Sequence, residues 1–498
     1  MKKSALAIAL CLFVLITRSA PAGALDILDS VSETGKQIMD RWLPSQNKPT
    51  KPTPLNLPSK WRGAYIYDAI FDCEVFIAEL GLATKPAIFL VHGLGQNGAK
   101  DWLKVTASLE ADYHVFLLDL PGFGYSDKPA KKLSPTAYAQ LLQRLKQQLI
   151  PNQTSAMVGH SMGGAVVLRF TDLYPSEVSQ LVLVDAAGIL QRTAFVKHSA
   201  DSQVDIDLDA LPNSLLGYAV NAQDLGSSLI EKLLKIPDPT ALLTNSDKAW
   251  GLTLVKAPNL NAALALAEEN FSRAVLSPRV KTSIIWGERD PVAPLRTGQV
   301  LAHALTGDRL NIIEGAQHVP MLSHPAEFNA LLKTVLQQPQ PEVIKNPPDE
   351  KTLATAECVN EAGTIISGNY HSITVKRCKG LHITDAAAEI IIIEDSLVTL
   401  QNVRVAAAQG SALQVRDSVI QATNIEFSGE PTIDSTHSRL DFAGARLNAR
   451  QQLLKSRGKS RVIMSVSEGV LTGERGYLHG DYQLQDQRLE DIAWRTKR

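Results

Sequence analysis

Several common signatures of function are missing from this chain of 498 residues. It has no excess charge of either sign: 50 basic residues stand against 51 acidic ones, for a formal net charge of -1. A dedicated nucleic-acid binder would show a basic field. At 20% charged residues the composition also argues against wholesale disorder. There is no H-E-x-x-H, and the histidines are scattered, so no metal site is expected. The glycine-rich "HGLGQNG" (residues 92–98) departs from G-x-x-x-x-G-K-[ST], so no nucleotide loop and no cofactor are expected. Beyond the first twenty or so residues, no apolar stretch is long enough to span a bilayer. Cysteine is scarce, with four in the chain.

The N-terminus has a layout of its own. "MKK" is followed by the apolar run "ALAIALCLFVLI" and then by "TRSAPAGA", with Ala22 and Ala24 in an A-x-A arrangement. This is the order of a secretory signal peptide, residues 1–24, cut after Ala24. A membrane helix needs about 20 apolar residues, and this run is shorter. The expectation is therefore an exported protein, periplasmic or secreted, with no membrane span after cleavage. The alternative is a chain anchored through an uncleaved signal segment. Export permits disulfides. Cys11 leaves with the signal, so three cysteines remain and at most one intrachain pair forms. We take Cys358 with Cys378, twenty residues apart, and read Cys73 as a buried strand residue.

Residues 25–60 read as a leader helix and a Pro-rich connector. From 61 to 336, short apolar runs that stop at Gly- or Pro-containing loops alternate with helical stretches. "AIFLVHG", "HVFLLDL", "SAMVGHS", "LVLVDAAG" and "TSIIWGERD" are such runs. They describe an α/β fold with a parallel sheet covered on both faces. A mostly helical segment, about 188–279, interrupts the rhythm and reads as a cap. Residues 337–351 are a linker by composition.

The chemistry centres on "VGHSMGG". Gly159, Ser161 and Gly163 form G-x-S-x-G between a strand and a helix. Such a turn holds a serine hydroxyl clear of the sheet edge, and the flanking positions are Gly because larger side chains would strike neighbouring backbone. A serine needs a base to take its proton. His318 follows the last strand and Asp290 the one before it, in the order Ser, Asp, His that this kind of sheet uses. His318 is expected as general base and Asp290 as the acid that fixes its tautomer. The rivals are His324, read as a helix start, His160, which adjoins the nucleophile and is expected to point elsewhere, and Asp185, a substitute acid after its own strand. The oxyanion needs two N–H donors. They are expected from Met162, just after the serine, and from Leu94 in the 92–98 loop.

From about residue 85 to 335 these motifs resemble the α/β-hydrolase superfamily. The carriers are "HGLGQNG" with "DW", "DLPGFGYSDKP", "GHSMGG", "LVLVDAAG", "WGERDPVAP" and "GAQHVPMLSHP". They are most similar to the capped branch containing esterases, carbon–carbon bond hydrolases and haloperoxidase-like enzymes. Relatives that act on haloalkanes and many epoxides use Asp as nucleophile, and Ser161 argues against those activities. The resemblance implies a hydrolase that cleaves a small-molecule ester or related acyl bond through an acyl-enzyme on Ser161. Alternatives are carbon–carbon bond hydrolysis or acyl transfer by the same triad, or an envelope- or polysaccharide-binding protein with a vestigial hydrolase part.

The C-terminal third has a different character. "DSLVTLQNVRV" at 395–405 recurs as "DSVIQATNIEF" at 417–427 and "HSRLDFAGARL" at 437–447, with a weaker copy, "KSRVIMSVSEG", at 459–469. One unit cannot bury its own apolar face, but stacked units can. The pattern resembles a right-handed parallel β-helix of the pectin-lyase-like kind over 352–472, followed by a tail, 473–498. Cys358 and Cys378 would staple neighbouring first turns. A small antiparallel sandwich is the competing arrangement. The repeats carry no cluster of catalytic groups, so they are expected to support the hydrolase, to act as a spacer, or to contact polysaccharide or envelope material.

Overall fold

The computed structural model describes residues 61–95, 97–191, 254–277, 279–337 and 354–494. The expected signal peptide, leader and connector, linker residues 338–351 and cap residues 192–253 lie outside the described residues; Gln337, expected as the first linker residue, ends a helix. Among the described residues no helix is long and apolar enough to cross a membrane.

Eight strands build the first sheet: β1 Arg62–Asp68, β2 Cys73–Leu80, β3 Ala87–Val91, β4 His114–Leu118, β5 Ser155–His160, β6 Val178–Val184, β7 Thr282–Gly287 and β8 Asn311–Ile313. Their spatial order is β1-β2-β4-β3-β5-β6-β7-β8. Helices alternate with them: α1 Leu103–Leu109, α2 Pro135–Leu149, α3 Met162–Leu173, α4 Pro258–Glu268, α5 Ser272–Leu276, α6 Leu295–Leu305, α7 Pro320–Ser323 and α8 Pro325–Gln337. From β4 to β8 every pairing is parallel. β3 and β5 are buried along their whole length, as strands covered on both faces must be.

One edge differs from the all-parallel expectation. β1 and β2 form an antiparallel hairpin, and β2 pairs antiparallel with β4. Asp68 closes the hairpin by accepting N–H bonds from Ile70 and Phe71, an Asx turn that a search for buried apolar runs does not register. Cys73 opens β2 and is buried. Burial, and then the nearby Asp127, Asp68 and Asp72, push its thiol up to about 12, so it is no nucleophile.

Thirteen strands, β9 to β21, make up the second sheet. The repeats that start at 417 and 437 each contribute three short strands, and each strand lies parallel on its counterpart in the neighbouring repeat. β14 (Val419–Thr423) pairs with β17 (Arg439–Ala443), β15 (Glu426–Ser428) with β18 (Arg446–Ala449), and β16 (Ile433–Thr436) with β19 (Leu454–Arg457). This all-β region of parallel strands is consistent with a β-helix. The Cys358–Cys378 disulfide ties β9 (Ala354–Val359) to the corner that follows β10 (Ile365–Lys376). The segment expected as a tail is different: β21 (Glu474–Gln485) runs antiparallel to β20 (Lys459–Leu471), and a short helix, α9 (Glu490–Ala493), follows.

The repeated serines explain the register. Cys378 N–H donates to Ser396 Oγ at 2.9 Å, Ser396 N–H to Ser418 Oγ at 3.0 Å, Ser418 N–H to Ser438 Oγ at 3.1 Å and Ser438 N–H to Ser460 Oγ at 3.3 Å. The first three of these hydroxyls each donate onward to the carbonyl two residues earlier, at Glu394, Arg416 and Thr436. Corner N–H groups that no strand partner reaches are thereby satisfied. The residues before three of the serines, Asp395, Asp417 and His437, have φ of 46°, 49° and 47°, a conformation that Asp and His tolerate better than most. Val398, Leu400, Ile420, Phe427, Leu440 and Phe442 all enter one buried core.

Ser418→Ala removes one acceptor and one donor from this buried ladder. Urea unfolding followed by circular dichroism is expected to show a loss of about 1–3 kcal/mol. Val419→Thr beside it, at a side chain 44% exposed, is expected to change stability by less than about 0.5 kcal/mol.

Candidate active site

The turn between β5 and α3 sets the site. Ser161 has φ 54° and ψ -122°, a backbone state that costs a non-glycine residue on the order of 1–3 kcal/mol. Its surroundings fix it. Ser161 N–H donates to Val184 O, and its carbonyl accepts from Gly164, Ala165 and Ala187. A Cβ on Gly159 would lie 2.2 Å from Gly163 O, and one on Gly163 would lie 2.3 Å from Val91 O. The glycines of the motif are therefore required by close backbone approach.

Three residues far apart in sequence meet here. His318 Nε2 lies 2.9 Å from Ser161 Oγ, and His318 Nδ1 lies 2.8 Å from Asp290 Oδ2. Asp290 Oδ1 accepts the N–H groups of Val292 and Ala293. Burial pushes the Asp290 carboxyl up, but the His318 hydrogen bond and charge and these two N–H donors outweigh it and hold the group below its ordinary value. Asp290 is thus an anion that accepts from Nδ1–H, which leaves Nε2 bare and facing the serine hydroxyl.

Asp185, the rival acid, does not face the imidazole. Its Oδ1 accepts the Gly287 N–H at 2.8 Å. Burial, and then the negative charge of Asp290, push its carboxyl well up from its ordinary value. His324 lies between α7 and α8, with Nδ1 against Ser323 Oγ, consistent with a helix-start position.

Met162 is the first residue of α3, where the leading N–H groups of a helix have no intrahelical partner. Leu94 is half-buried against the main core. The residue before it, Gly93, passes so close to the nucleophile that a Cβ there would meet Ser161 Cβ at 2.7 Å. His92 shapes this loop: it is fully buried, with Nδ1 2.7 Å from Gly93 O and Nε2 accepting the Leu120 N–H. Among the described residues no group of three or more His, Cys, Asp or Glu is placed to hold a metal.

His160, the neighbour of the nucleophile, is buried and has a partner in the site. Its Nε2 donates to the backbone carbonyl of His318 at 2.6 Å, and its ring packs edge-on to Trp102. Burial, and then the neighbouring His318, push its imidazole down to about 3. No local pattern in the sequence announces this contact, which spans 158 positions.

The comparisons with known proteins concern this same region. A family model described as the alpha/beta hydrolase fold matches residues 86–325. An uncharacterized protein of Mycobacterium bovis is 30% identical over 271 residues, which is 51% of this chain and 76% of that protein. The pimeloyl-[acyl-carrier protein] methyl ester esterase of Edwardsiella ictaluri is 27% identical over 261 residues, 50% of this chain and 93% of the esterase. Among solved structures, a bromoperoxidase from Bacillus anthracis aligns over 56% of this chain and all of its own, with TM-score 0.42 and 21% identity.

A histidine kept neutral when folded makes stability depend on pH. Above the unfolded value near 6.5 the His160 contribution is complete. As pH falls toward about 3 the unfolded chain takes up a proton that the folded chain does not, and stability is lost. Between about pH 6.5 and about pH 4.5 this loss is expected to be about 2 kcal/mol. Urea titrations of wild type and His160→Gln should therefore converge as pH falls; a constant gap across that range would refute the assignment.

Proposed function

The chain belongs to the α/β-hydrolase fold family and is an esterase-like hydrolase, and from that premise we propose that it is an exported serine hydrolase cleaving a small-molecule ester or related acyl bond. One observation carries the catalytic assignment: the continuous chain from Ser161 Oγ through His318 to Asp290, at 2.9 and 2.8 Å.

Ser161 Oγ attacks the carbonyl carbon while His318 Nε2 takes its proton. Asp290 stabilises the imidazolium so formed. The carbonyl oxygen becomes an oxyanion, held by the N–H groups of Leu94 and Met162. The intermediate collapses, the bond to the leaving oxygen breaks, and His318 returns the proton to it. Water then attacks the acyl-Ser161 ester with His318 again as base, releasing the acid and restoring the serine. The intact set of three residues speaks against a vestigial hydrolase part.

The signal-peptide pattern over residues 1–24 supports export. So does the Cys358–Cys378 disulfide, since such bonds persist in oxidising compartments. For the C-terminal region we propose a parallel β-helix of about five turns, based on the parallel pairing of successive repeats, whose register is unbroken between the repeats at 417 and 437.

A fluorophosphonate probe should label the wild type and leave Ser161→Ala unlabelled; labelling of both would refute the nucleophile. Asp290→Asn is expected to lower kcat by about 10⁴-fold. Asp185→Asn keeps an acceptor for the Gly287 N–H and should hold kcat within about tenfold. Equal losses in the two would refute the division of roles between the carboxyls.

A further inference from the structure

The loop that carries Asp290 ends on Arg296, the second residue of α6. Arg296 reaches out of the hydrolase and into the repeat region. Its Nε donates to Thr423 Oγ1 at 2.8 Å and its Nη1 to Asp441 Oδ1 at 3.0 Å. Its Nη2 donates to the carbonyls of Ala422 at 2.7 Å and Asp441 at 3.1 Å. The ion pair is largely withdrawn from solvent, with side chains 13% and 14% exposed. A planar five-donor fork suits two carbonyls, a hydroxyl and a carboxylate together; an ammonium does not.

The repeats are modified where they meet the hydrolase. The inner corners of successive turns hold Asp385, Asn402, Asn424, Gly444 and Val466, all with positive φ. Asn402 bonds back to Asp385 and Asn424 back to Asn402 at 3.5 Å, but Asn424 also donates to Gln299 O on α6 at 3.2 Å. At the next turn the corner is Gly444, where a Cβ would lie 2.6 Å from Asn424 Oδ1 and in van der Waals contact with Val300 of α6. At the last, Val466 and the nearby Ala443 leave the repeat core and join the buried core of the hydrolase. Val466 does so with φ 46°, a strained state for a β-branched residue that its surroundings must enforce. Next to it, Ser465 Oγ accepts the N–H of Gln191, on the loop that leaves β6 through Asp185.

Two adjacent acid-bearing loops therefore end on the repeats. Little slack separates Arg296 from Asp290. Pro291 and Pro294 lie between them; Val292 and Ala293 give their N–H groups to Asp290; Ala293 O is held by Trp286 Nε1 at 3.0 Å; and Thr297 N–H closes on Pro294 O at 2.7 Å.

We propose that the repeat region is a positioning element of the active site: by gripping Arg296 it fixes the loop that aims Asp290 at His318. Arg296 is a positioning residue, since it touches neither substrate nor the reacting atoms. This rests on the reading of Ser161, His318 and Asp290 given above. It also assigns the repeats a role that needs no external ligand.

The test uses the full chain and p-nitrophenyl acetate. Arg296→Ala is expected to lower kcat by about 10- to 100-fold, with KM within about threefold, because the reacting groups are misaligned while substrate binding is spared. With Asp290 displaced the imidazolium loses its anion, so the acid limb of the kcat–pH profile should move to lower pH. Arg296→Lys should recover part of the loss. Asp441→Asn keeps the backbone contacts and removes one charge; it should shift kcat and the acid limb in the same direction by less, and it serves if Arg296→Ala does not fold. A purely architectural role would lower Tm in these variants and leave kcat and the pH profile at wild-type values; that result overturns the proposal. Failure of the Ser161 reading is distinguishable, because activity would then survive in Ser161→Ala whatever Arg296 does.

Discussion

The tight turn at Ser161 is the constraint on which the hydrolase site depends. A strand must end, reverse and become a helix within a few residues, and one non-glycine residue must hold φ 54° for it. That geometry is sustained by missing side chains. Gly159 and Gly163 meet across the turn, Gly163 also meets Val91 of the neighbouring strand, and Gly93 leaves room for the serine itself. Given this turn, the ends of the following strands have few places to go. β6, β7 and β8 line up beside β5, and the loops after β7 and β8 bring Asp290 and His318 to the same edge.

The environment sorts two neighbouring carboxyls into different states. Asp290 receives an imidazole and two N–H groups, which hold its carboxyl below the ordinary value; Asp185, with one N–H and a negative neighbour, is pushed well above it. A buried pair that both ionised would be costly in this setting. Behind His318, a second histidine is held neutral and bonds to its backbone. The site is thus supported from two sides by groups that do not themselves touch Ser161 Oγ.

Much of this was legible in the sequence, for physical reasons that differ by region. A strand–turn–helix nucleophile loop needs glycines at fixed spacing, and strand-end acids and bases must follow in sheet order, so Ser161, Asp290 and His318 were visible as candidates. The serine-spaced repeats revealed a stack because each unit had to bury the same positions. The antiparallel hairpin of β1 and β2 was not visible, since it depends on an Asx turn and an exposed, weakly patterned strand. Strand β21 escaped because a mixed polar sequence becomes a strand only against β20. Arg296 gave no local signal either: its partners lie 126 to 145 positions away. The weakness of the fourth repeat was itself informative, for Ser465 and Val466 depart from the pattern where they serve the hydrolase instead of the stack.

The central claim is that the acyl group of the substrate passes through Ser161. A bulky, slowly deacylating nitrophenyl ester, mixed rapidly with the full chain and quenched in acid, tests it directly by peptide mass mapping. The account predicts one acyl group per chain, on the peptide containing Ser161, appearing in step with the first equivalent of nitrophenol. Nitrophenol released at the same rate with that peptide unmodified, or with the acyl group on another residue, would contradict it.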